Sequence, residues 1–118
     1  MNDYTLLPSG SVPVLERTTP LSSAGEALDL IAACGEHGTD RLLLDSSVLP
    51  PEFFQLHTRF AGEFLQKLQN YQLRTAVVIP EEREYGERFE EYLLEARRGR
   101  FCRLLTSRDE ALAWLEQE

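Results

Sequence analysis

The stretch from Pro50 to Tyr71 limits the possible folds of this chain more than any other part of the sequence. A long segment without proline follows Pro51, and its apolar residues fall on one half of a helix at about 100° per residue. The apolar half carries Phe53, His57, Phe60, Ala61, Phe64, Leu65, Leu68 and Tyr71. An arc this wide and this rich in phenylalanine predicts a helix that packs deeply against a sheet, with His57 among the packed side chains.

Continuous apolar runs predict three strands that are covered on both faces. Parallel sheets bury both faces of their strands, so these strands lack an alternating pattern. The runs are Arg41–Asp45, Leu73–Ile79 and Phe101–Leu105. Two shorter runs, Tyr4–Leu7 and Val12–Glu16, flank turn-forming residues at 8–11 and predict an N-terminal β-hairpin.

Start signals and helical spacing predict three further helices. Ser23 with Glu26, and Ser107 with Glu110, have the spacing of capping boxes and open the first and last of them. Residues 84–98 form the helix between them. Gly35 and Gly38 close the first helix, with Gly38 as the predicted C-terminal cap, and Gly99 stops the helix at 84–98. The inward faces contain Tyr85, Phe89, Tyr92, Leu93 and Ala96 in the helix at 84–98, and Ala111, Leu112, Trp114 and Leu115 in the last helix.

The predicted order of elements is β-β-α-β-α-β-α-β-α. Alternating strands and helices imply right-handed crossovers and a mainly parallel sheet, to which the hairpin adds an antiparallel strand. The sequence therefore predicts an α/β two-layer sandwich with a mixed, mostly parallel five-stranded sheet and four helices. A chain of 118 residues has the length of one domain, so residues 1–118 are expected to form a single domain.

Composition narrows the classes of function. The chain is 42% hydrophobic and 27% charged, and no apolar run is long enough to span a bilayer. Its net charge of −8 argues against nucleic-acid binding, because phosphate backbones require clustered positive charge. The first residues lack the pattern of a secretory signal, so the expected location is the cytoplasm. Cys34 and Cys102 are expected to pack in the core in a reducing environment.

The central stretch resembles a known bacterial family. The residues that carry the resemblance are Phe53-Phe54, Leu56, Thr58, Ala61-Gly62-Glu63, Gln66-Lys67 and Asn70-Tyr71. They are similar to the signature of domain-of-unknown-function family 4180, and the similarity runs from about Ala27 to Leu115. The family carries no established activity, so this resemblance bears on the fold.

The order of elements also resembles the STAS domain, which sulphate transporters and anti-sigma-factor antagonists share. The resemblance implies a STAS-like sandwich. In those antagonists, a serine after the third strand is phosphorylated to switch partner binding, and Asp45-Ser46-Ser47 lies in the matching region. By this resemblance, Ser46 and Ser47 are candidates for phosphorylation or partner contact.

The carboxyl ends of the predicted strands are the place to look for a ligand site. Asp45-Ser46-Ser47, Pro80-Glu81-Glu82 and Thr106-Ser107 are predicted to meet at this edge, where parallel sheets bind ligands. No glycine-rich phosphate loop leads into a helix there. From the residues alone, Asp45 and the serines form an Asx-type turn, a modified or partner-binding site, or part of a small-ligand pocket.

Histidine and cysteine positions predict no catalytic or metal site. His57 is interpreted as a packed residue, since a general base would require a nucleophile and an orienting carboxylate that the sequence does not place. The two histidines and two cysteines lack metal-binding spacing. We therefore expect no metal, no cofactor and no catalytic residue.

Gly62 marks a candidate interface. Glycine within a helix costs about 1 kcal/mol relative to alanine, and Gly62 lies away from the apolar arc together with Gln55, Thr58 and Gln66. The missing side chain leaves room for another backbone, either from a helix of the same domain or from a second copy. A self-complementary face of this kind favours a two-fold homodimer.

Arg97, Arg98 and Arg100, with Arg103 nearby, form the one basic cluster of this acidic sequence. These cations either offset the negative end of the preceding helix or bind an anion or acidic partner. Taken together, the sequence predicts a non-catalytic regulatory or protein-interaction module that acts as a homodimer. The alternative is a small-ligand-binding or weakly catalytic domain that uses the edge around Asp45 and Ser46.

Overall fold

The computed structural model of the protein describes residues 3–8, 12–80 and 85–117. The strands are β1 (Tyr4–Leu7), β2 (Val14–Arg17), β3 (Arg41–Asp45), β4 (Arg74–Val78) and β5 (Cys102–Leu105). The α-helices of the described residues are α1 (Ala27–Glu36), α2 (Phe60–Asn70), α3 (Glu87–Ala96) and α4 (Arg108–Glu116). The predicted turn residues 9–11 and the predicted helix start at residue 84 lie outside the described residues.

The five strands form one sheet in sequential order, β1-β2-β3-β4-β5. β1 pairs antiparallel with β2, and every other neighbouring pair is parallel. In the central pair, Arg41 lies opposite Arg74 and Asp45 opposite Val78. The predicted α/β fold, with a mixed and mostly parallel sheet and an N-terminal hairpin, is confirmed. The predicted two layers are wrong, because helices pack on both faces of the sheet and make three layers.

The two faces of the sheet bury separate hydrophobic clusters. Leu42 and Leu44 point to the first face, where they pack with residues of α1, α2 and α3, whereas Leu43 points to the second face and packs with α4. Successive side chains of a strand alternate between faces, so the continuous apolar run of β3 requires cover on both sides. All three leucines are 0% exposed.

The central stretch is not one continuous helix. Residues Pro51–Phe54 and Leu56–Thr58 form two short 3₁₀ turns, which we call the 3₁₀ segment, and α2 begins only at Phe60. The prediction is therefore wrong for residues 51–59. The side chain of Thr58 competes with the helical pattern, because its hydroxyl donates to the Gln55 carbonyl oxygen at 2.7 Å and accepts from the Phe60 amide at 3.2 Å. Arg59 then takes a left-handed conformation with φ 63°.

This change of path moves residues that the helical pattern had placed inward. Phe53 still packs in the core at 0% exposed, but His57 is exposed, so its predicted packing is wrong. Tyr71 is 60% exposed, and its predicted inward position is also wrong. The helix has ended by Asn70, and Gln72 turns the chain towards β4 with φ 58°.

The predicted helix ends have different outcomes. Gly38 has φ 65°, its amide donates to the Gly35 carbonyl oxygen, and the Thr39 amide donates to that of Cys34, so the predicted glycine cap is confirmed as a Schellman motif. Ser107 caps α4 as predicted, since its hydroxyl accepts from the Glu110 amide.

The capping box predicted from Ser23 and Glu26 is wrong. The Ser23 side chain makes no capping hydrogen bond, and the carboxylate of Glu26 accepts instead from the Ser22 hydroxyl at 2.7 Å and the Ser22 amide at 3.3 Å. A 3₁₀ turn at Ala24–Glu26 precedes α1, so Ser23 stands before this tighter turn and not at the start of the α-helix. The extra turn moves the start of α1 to Ala27.

Candidate functional site

A cleft of ≈330 Å³ lies beside α3 at the edge of the sheet where β4 and β5 end. Ile79 and Pro80 follow β4, Thr106 follows β5, and one flank of α3 forms the facing wall. Ligands of open α/β sheets bind outside the carboxyl ends of the strands. The cleft therefore occupies the β4–β5 end of the edge that the sequence pointed to, at a distance of one strand from Asp45 in β3.

A cluster of aromatic rings fixes the start of α3 on the 3₁₀ segment. Phe89 is 2% exposed, and the centroid of its ring lies 6.0 Å from that of Phe53. Tyr85 stacks on Phe54 with ring centroids 5.2 Å apart, and its hydroxyl donates a hydrogen bond to the Pro80 carbonyl oxygen at 2.9 Å. Tyr85 thereby joins the beginning of α3 to the end of β4 and forms part of the cleft wall.

The flank of α3 that lines the cleft carries two leucines between two opposite charges. We call these residues the α3 stripe: Glu90, Leu93, Leu94 and Arg97. Their spacing of i, i+3, i+4 and i+7 places them in one row along the helix. Leu93 packs partly against the core, whereas Leu94 is 64% exposed. Within the cleft, Leu93 is therefore partly buried, whereas the neighbouring Leu94 is exposed to solvent.

The predicted site at Asp45, Ser46 and Ser47 is a turn. The carboxylate of Asp45 accepts a hydrogen bond from the Ser47 amide at 3.0 Å and caps a 3₁₀ turn over Ser46–Val48. Ser46 is half-buried and Ser47 is exposed. The Asx-type turn that the residues suggested is therefore confirmed, and modification or partner contact of the serines stays a prediction.

A cation stands close to this turn. The pKa of Arg108 is raised, first by its hydrogen bonds to Glu16 and further by the negative charges of Glu16, Asp45 and Asp109. Burial acts in the opposite direction on the same guanidinium. The carboxylates at this end of the sheet are thus partly balanced by a side chain that the sequence analysis did not single out.

His57 lines a second cleft, of ≈310 Å³, between the 3₁₀ segment and the first turn of α3. Phe54, Leu56 and Arg88 lie around it. The histidine reaches this cleft because the 3₁₀ segment replaces the predicted helix and turns its side chain outwards. The structure thus moves His57 from the predicted core to a surface cleft.

The predicted interface around Gly62 is an exposed surface. No heavy atom of the described residues, apart from the chain neighbours and the backbone of its own helix, comes within 4 Å of a β-carbon built on Gly62. The interpretation that Gly62 admits another helix of the same domain is therefore wrong. Gln66 lies on the same helix and donates to the Asn70 side chain at 2.8 Å, whereas Gln55 and Thr58 belong to the 3₁₀ segment. Partner contact through this surface stays a prediction.

The arginines near the end of α3 separate into two groups. Arg97, Arg98 and Arg100 are exposed, and Arg97 lines the cleft beside α3. Arg103 lies on the second face of the sheet, where its guanidinium is 5.0 Å from the centroid of the Trp114 ring and its Nε donates to the Gly99 carbonyl oxygen at 2.8 Å. Anion binding by the first three arginines stays a prediction.

The two thiols are buried and free, which confirms their predicted place in the core. Burial raises the pKa of Cys34 to about 12 and that of Cys102 to about 11. Thiolate is the nucleophilic and metal-binding form of cysteine, so neither side chain is activated at neutral pH. Among the described residues, no three His, Cys, Asp or Glu side chains are grouped so that they could hold a metal ion.

Comparison with known proteins identifies the family. One family, described as "Domain of unknown function (DUF4180)", matches residues 11–115. The chain belongs to this family. No curated protein and no solved structure matches it. Within the described parts of this DUF4180 protein, no helix combines the length and the apolarity that crossing a bilayer requires.

Leu94 of this DUF4180 chain was not among the candidate residues predicted from the sequence. Leu93 was placed on the inward face of α3, and the neighbouring leucine gave no signal, because one exposed apolar residue on a helix is common. The spacing of the α3 stripe was visible in the sequence, but the cleft beside it was not. The cleft exists because Ile79, Pro80 and Thr106, which come from two other segments, line it together with α3.

Proposed function

We propose that this protein is a non-catalytic interaction module of the bacterial cytoplasm that binds a protein partner through the cleft beside α3. The exposure of Leu94 carries this proposal. A large apolar side chain that stays in water next to an apolar groove is typical of a surface that another protein covers. Ile79, Pro80 and Leu93 supply the floor against which a partner would pack.

The state of the reactive side chains supports binding rather than catalysis. Cys34 and Cys102 are buried, and burial raises the pKa of both thiols. The carboxylate of Asp45 holds a turn. A nucleophile needs an adjacent base or a lowered pKa to react at neutral pH.

The resemblance to STAS domains supports the same proposal. Anti-sigma-factor antagonists of that class act through protein contacts, and a phosphorylated serine controls them. Ser47 is exposed at the corresponding place, after the third strand. In this proposal, Ser46 and Ser47 are candidates for a modification that regulates partner binding.

Site-specific crosslinking tests the proposal. A photo-reactive phenylalanine analogue replaces Leu94 in one variant and Leu28 in a matched control, since Leu28 is 55% exposed on α1, outside the cleft. We expect position 94 to give a defined protein adduct in cells and position 28 to give little. The partner identified from the adduct should then bind the purified chain and lose affinity for Leu94→Lys. Equal adduct yields at both positions would contradict the proposal.

A small ligand is the second candidate for the same edge of the sheet. A volume of ≈330 Å³ lies at the lower end of the range for small-molecule sites, which is about 300–1,000 Å³. The sequence predicted a ligand site at the strand ends near Asp45 and Ser46. In this second function the ligand lies at the same edge of the sheet but closer to Thr106. Native mass spectrometry of the purified chain would detect a retained ligand, and Thr106→Val should lower its occupancy. A chain mass without any adduct would count against this second function.

The homodimer predicted from the sequence stays a proposal, and we do not expect its contact at Gly62. The residues predicted to form the interface with Gly62, namely Gln55, Thr58 and Gln66, are polar, whereas the cleft carries the exposed Leu94. Gly62→Leu is therefore expected to leave the assembly unchanged. Loss of a dimer in that variant, with folding retained, would return the interface to the Gly62 surface.

A further inference from the structure

The α3 stripe is self-complementary. A two-fold axis that runs beside α3, perpendicular to it and level with the midpoint between Leu93 and Leu94, would place Leu93 of one copy opposite Leu94 of the other and Glu90 opposite Arg97. The two charged residues lie about 10 Å apart along the helix axis at a rise of about 1.5 Å per residue. Along α3 the stripe runs from an acidic residue through two leucines to a basic residue. In an antiparallel second copy the order is reversed, so acid would face base and leucine would face leucine.

We propose that the partner that covers the cleft is a second copy of this chain, docked with its α3 antiparallel to the first. This inference rests on the proposed function and names its partner. In the antiparallel arrangement, Glu90 of each copy faces Arg97 of the other, and the leucine pairs meet at the axis. Packed helices lie about 8–10 Å apart, a distance that a glutamate and an arginine can bridge.

The cleft favours this arrangement because a two-fold contact uses the same patch on both subunits. Leu94 of one copy enters the groove between α3, Ile79 and Pro80 of the other, and the reverse contact forms at the same time. A parallel arrangement would place Glu90 opposite Glu90 and Arg97 opposite Arg97 of the second copy, so like charges would face each other. Charge therefore selects the antiparallel dimer and disfavours the parallel one.

Sedimentation equilibrium of leucine variants is the first test. The wild-type chain is expected to form a dimer of two 13.5 kDa subunits. Leu94→Lys should weaken the dimer by about thirtyfold or more, as loss of a central apolar contact does. Leu28→Lys, a similarly exposed leucine outside the cleft, should leave the dissociation constant unchanged. Circular dichroism verifies that each variant folds.

Charge exchange is the second test, because it distinguishes the antiparallel contact from general loss of surface apolarity. Glu90→Arg and Arg97→Glu should each weaken the dimer by about tenfold, since each places like charges face to face. The double variant E90R/R97E restores both pairs in the antiparallel arrangement and should recover most of the affinity. Single variants without effect, or a double variant as weak as the singles together, would overturn the antiparallel assignment.

The crosslinking experiment separates failure of this inference from failure of the proposed function. A product from position 94 with the mass of two chains supports the second copy as partner. A product with a different protein, together with a monomeric wild type in sedimentation, overturns the second copy and leaves the interaction function in place. Equal yields from positions 94 and 28 overturn both.

Discussion

Arg108 donates hydrogen bonds through both terminal guanidinium nitrogens to the two carboxylate oxygens of Glu16, each at 2.7 Å. The planar guanidinium matches a carboxylate in this two-point geometry, which a lysine could not reproduce. The pair joins the first turn of α4 to β2, near the start of the chain. It therefore holds the start of α4 to β2 in addition to the apolar contacts that α4 makes on the second face of the sheet.

A double-mutant cycle should measure this contact. Glu16→Gln, Arg108→Ala and the combined variant are expected to show a coupling energy of about 0.5–1 kcal/mol in urea unfolding at neutral pH. The value is small because the Arg108 side chain is 47% exposed and water screens the pair. The coupling should decrease in about 1 M salt. A coupling energy of zero in low salt would mean that the pair does not stabilise the fold.

The buried thiols should make the protein less stable in alkaline solution. The pKa of Cys34 rises from an ordinary value of 9.0 to about 12, first because of burial and then because of the charge of Asp40. Burial raises the pKa of Cys102 from 9.0 to about 11, and a hydrogen bond from Thr75 opposes part of that rise. Above about pH 9 the unfolded chain loses these protons and the folded chain retains them. The free energy of unfolding therefore decreases as the pH rises from about 9 towards 11.

The expected slope is up to about 1.4 kcal/mol per pH unit for each thiol. Urea unfolding under reducing conditions measures this slope between about pH 8 and about pH 9.5, where tyrosines with an ordinary pKa of 10.0 keep most of their protons. Cys34→Ala should reduce the slope, and a matched exposed substitution such as Ser47→Ala should not. An unchanged slope in Cys34→Ala would show that this thiol ionises equally in both states.

The central strands were predictable because a strand that is buried on both faces must be apolar along its whole length. The run at Arg41–Asp45 was located with the same bounds as β3. Tyr4–Leu7 matches β1, but it was predicted from its hairpin turn, and its two middle residues are exposed. The parallel direction of most of these strands followed from the alternation with helices, whereas their sequential order in the sheet is known from the structure. Nothing in that reasoning required knowledge of a side-chain contact, which is why it succeeded.

The stretch before α2 was not predictable from periodicity. Helical spacing predicts which residues would share a face if a helix formed. It does not predict whether a side chain will form hydrogen bonds with backbone groups that the helix would need. The Thr58 hydroxyl is such a competitor, and with Arg59 it ends the 3₁₀ segment. The position of His57 changed with it. The cleft was equally hidden, since Ile79, Leu94 and Thr106 come together only in three dimensions.

The Thr58 hydroxyl gives a third prediction. Thr58→Ala removes an acceptor for the Phe60 amide and a donor to the Glu52 and Gln55 carbonyl oxygens. We expect a loss of about 1–2 kcal/mol in the free energy of unfolding, as for other helix-capping hydroxyls. Thr58→Ser keeps the hydroxyl and should retain most of the stability. Equal losses in the two variants would show that the methyl group, rather than the hydroxyl, stabilises the turn.

Two glycines should respond to alanine in opposite directions. A β-carbon at Gly62 meets open space on the exposed side of α2, so Gly62→Ala should raise the free energy of unfolding by about 1 kcal/mol through helix propensity alone. A β-carbon at Gly99 would collide with the carbonyl oxygen of Cys102, which belongs to the backbone of β5 and cannot move without disturbing the edge of the sheet. Gly99→Ala should therefore lower the free energy of unfolding by about 1–3 kcal/mol.

Urea unfolding of the two variants measures both values, and each serves as the control for the other. A destabilised Gly62→Ala would mean that the exposed face of α2 makes a contact that tolerates no side chain, and a neutral Gly99→Ala would mean that the turn before β5 yields easily.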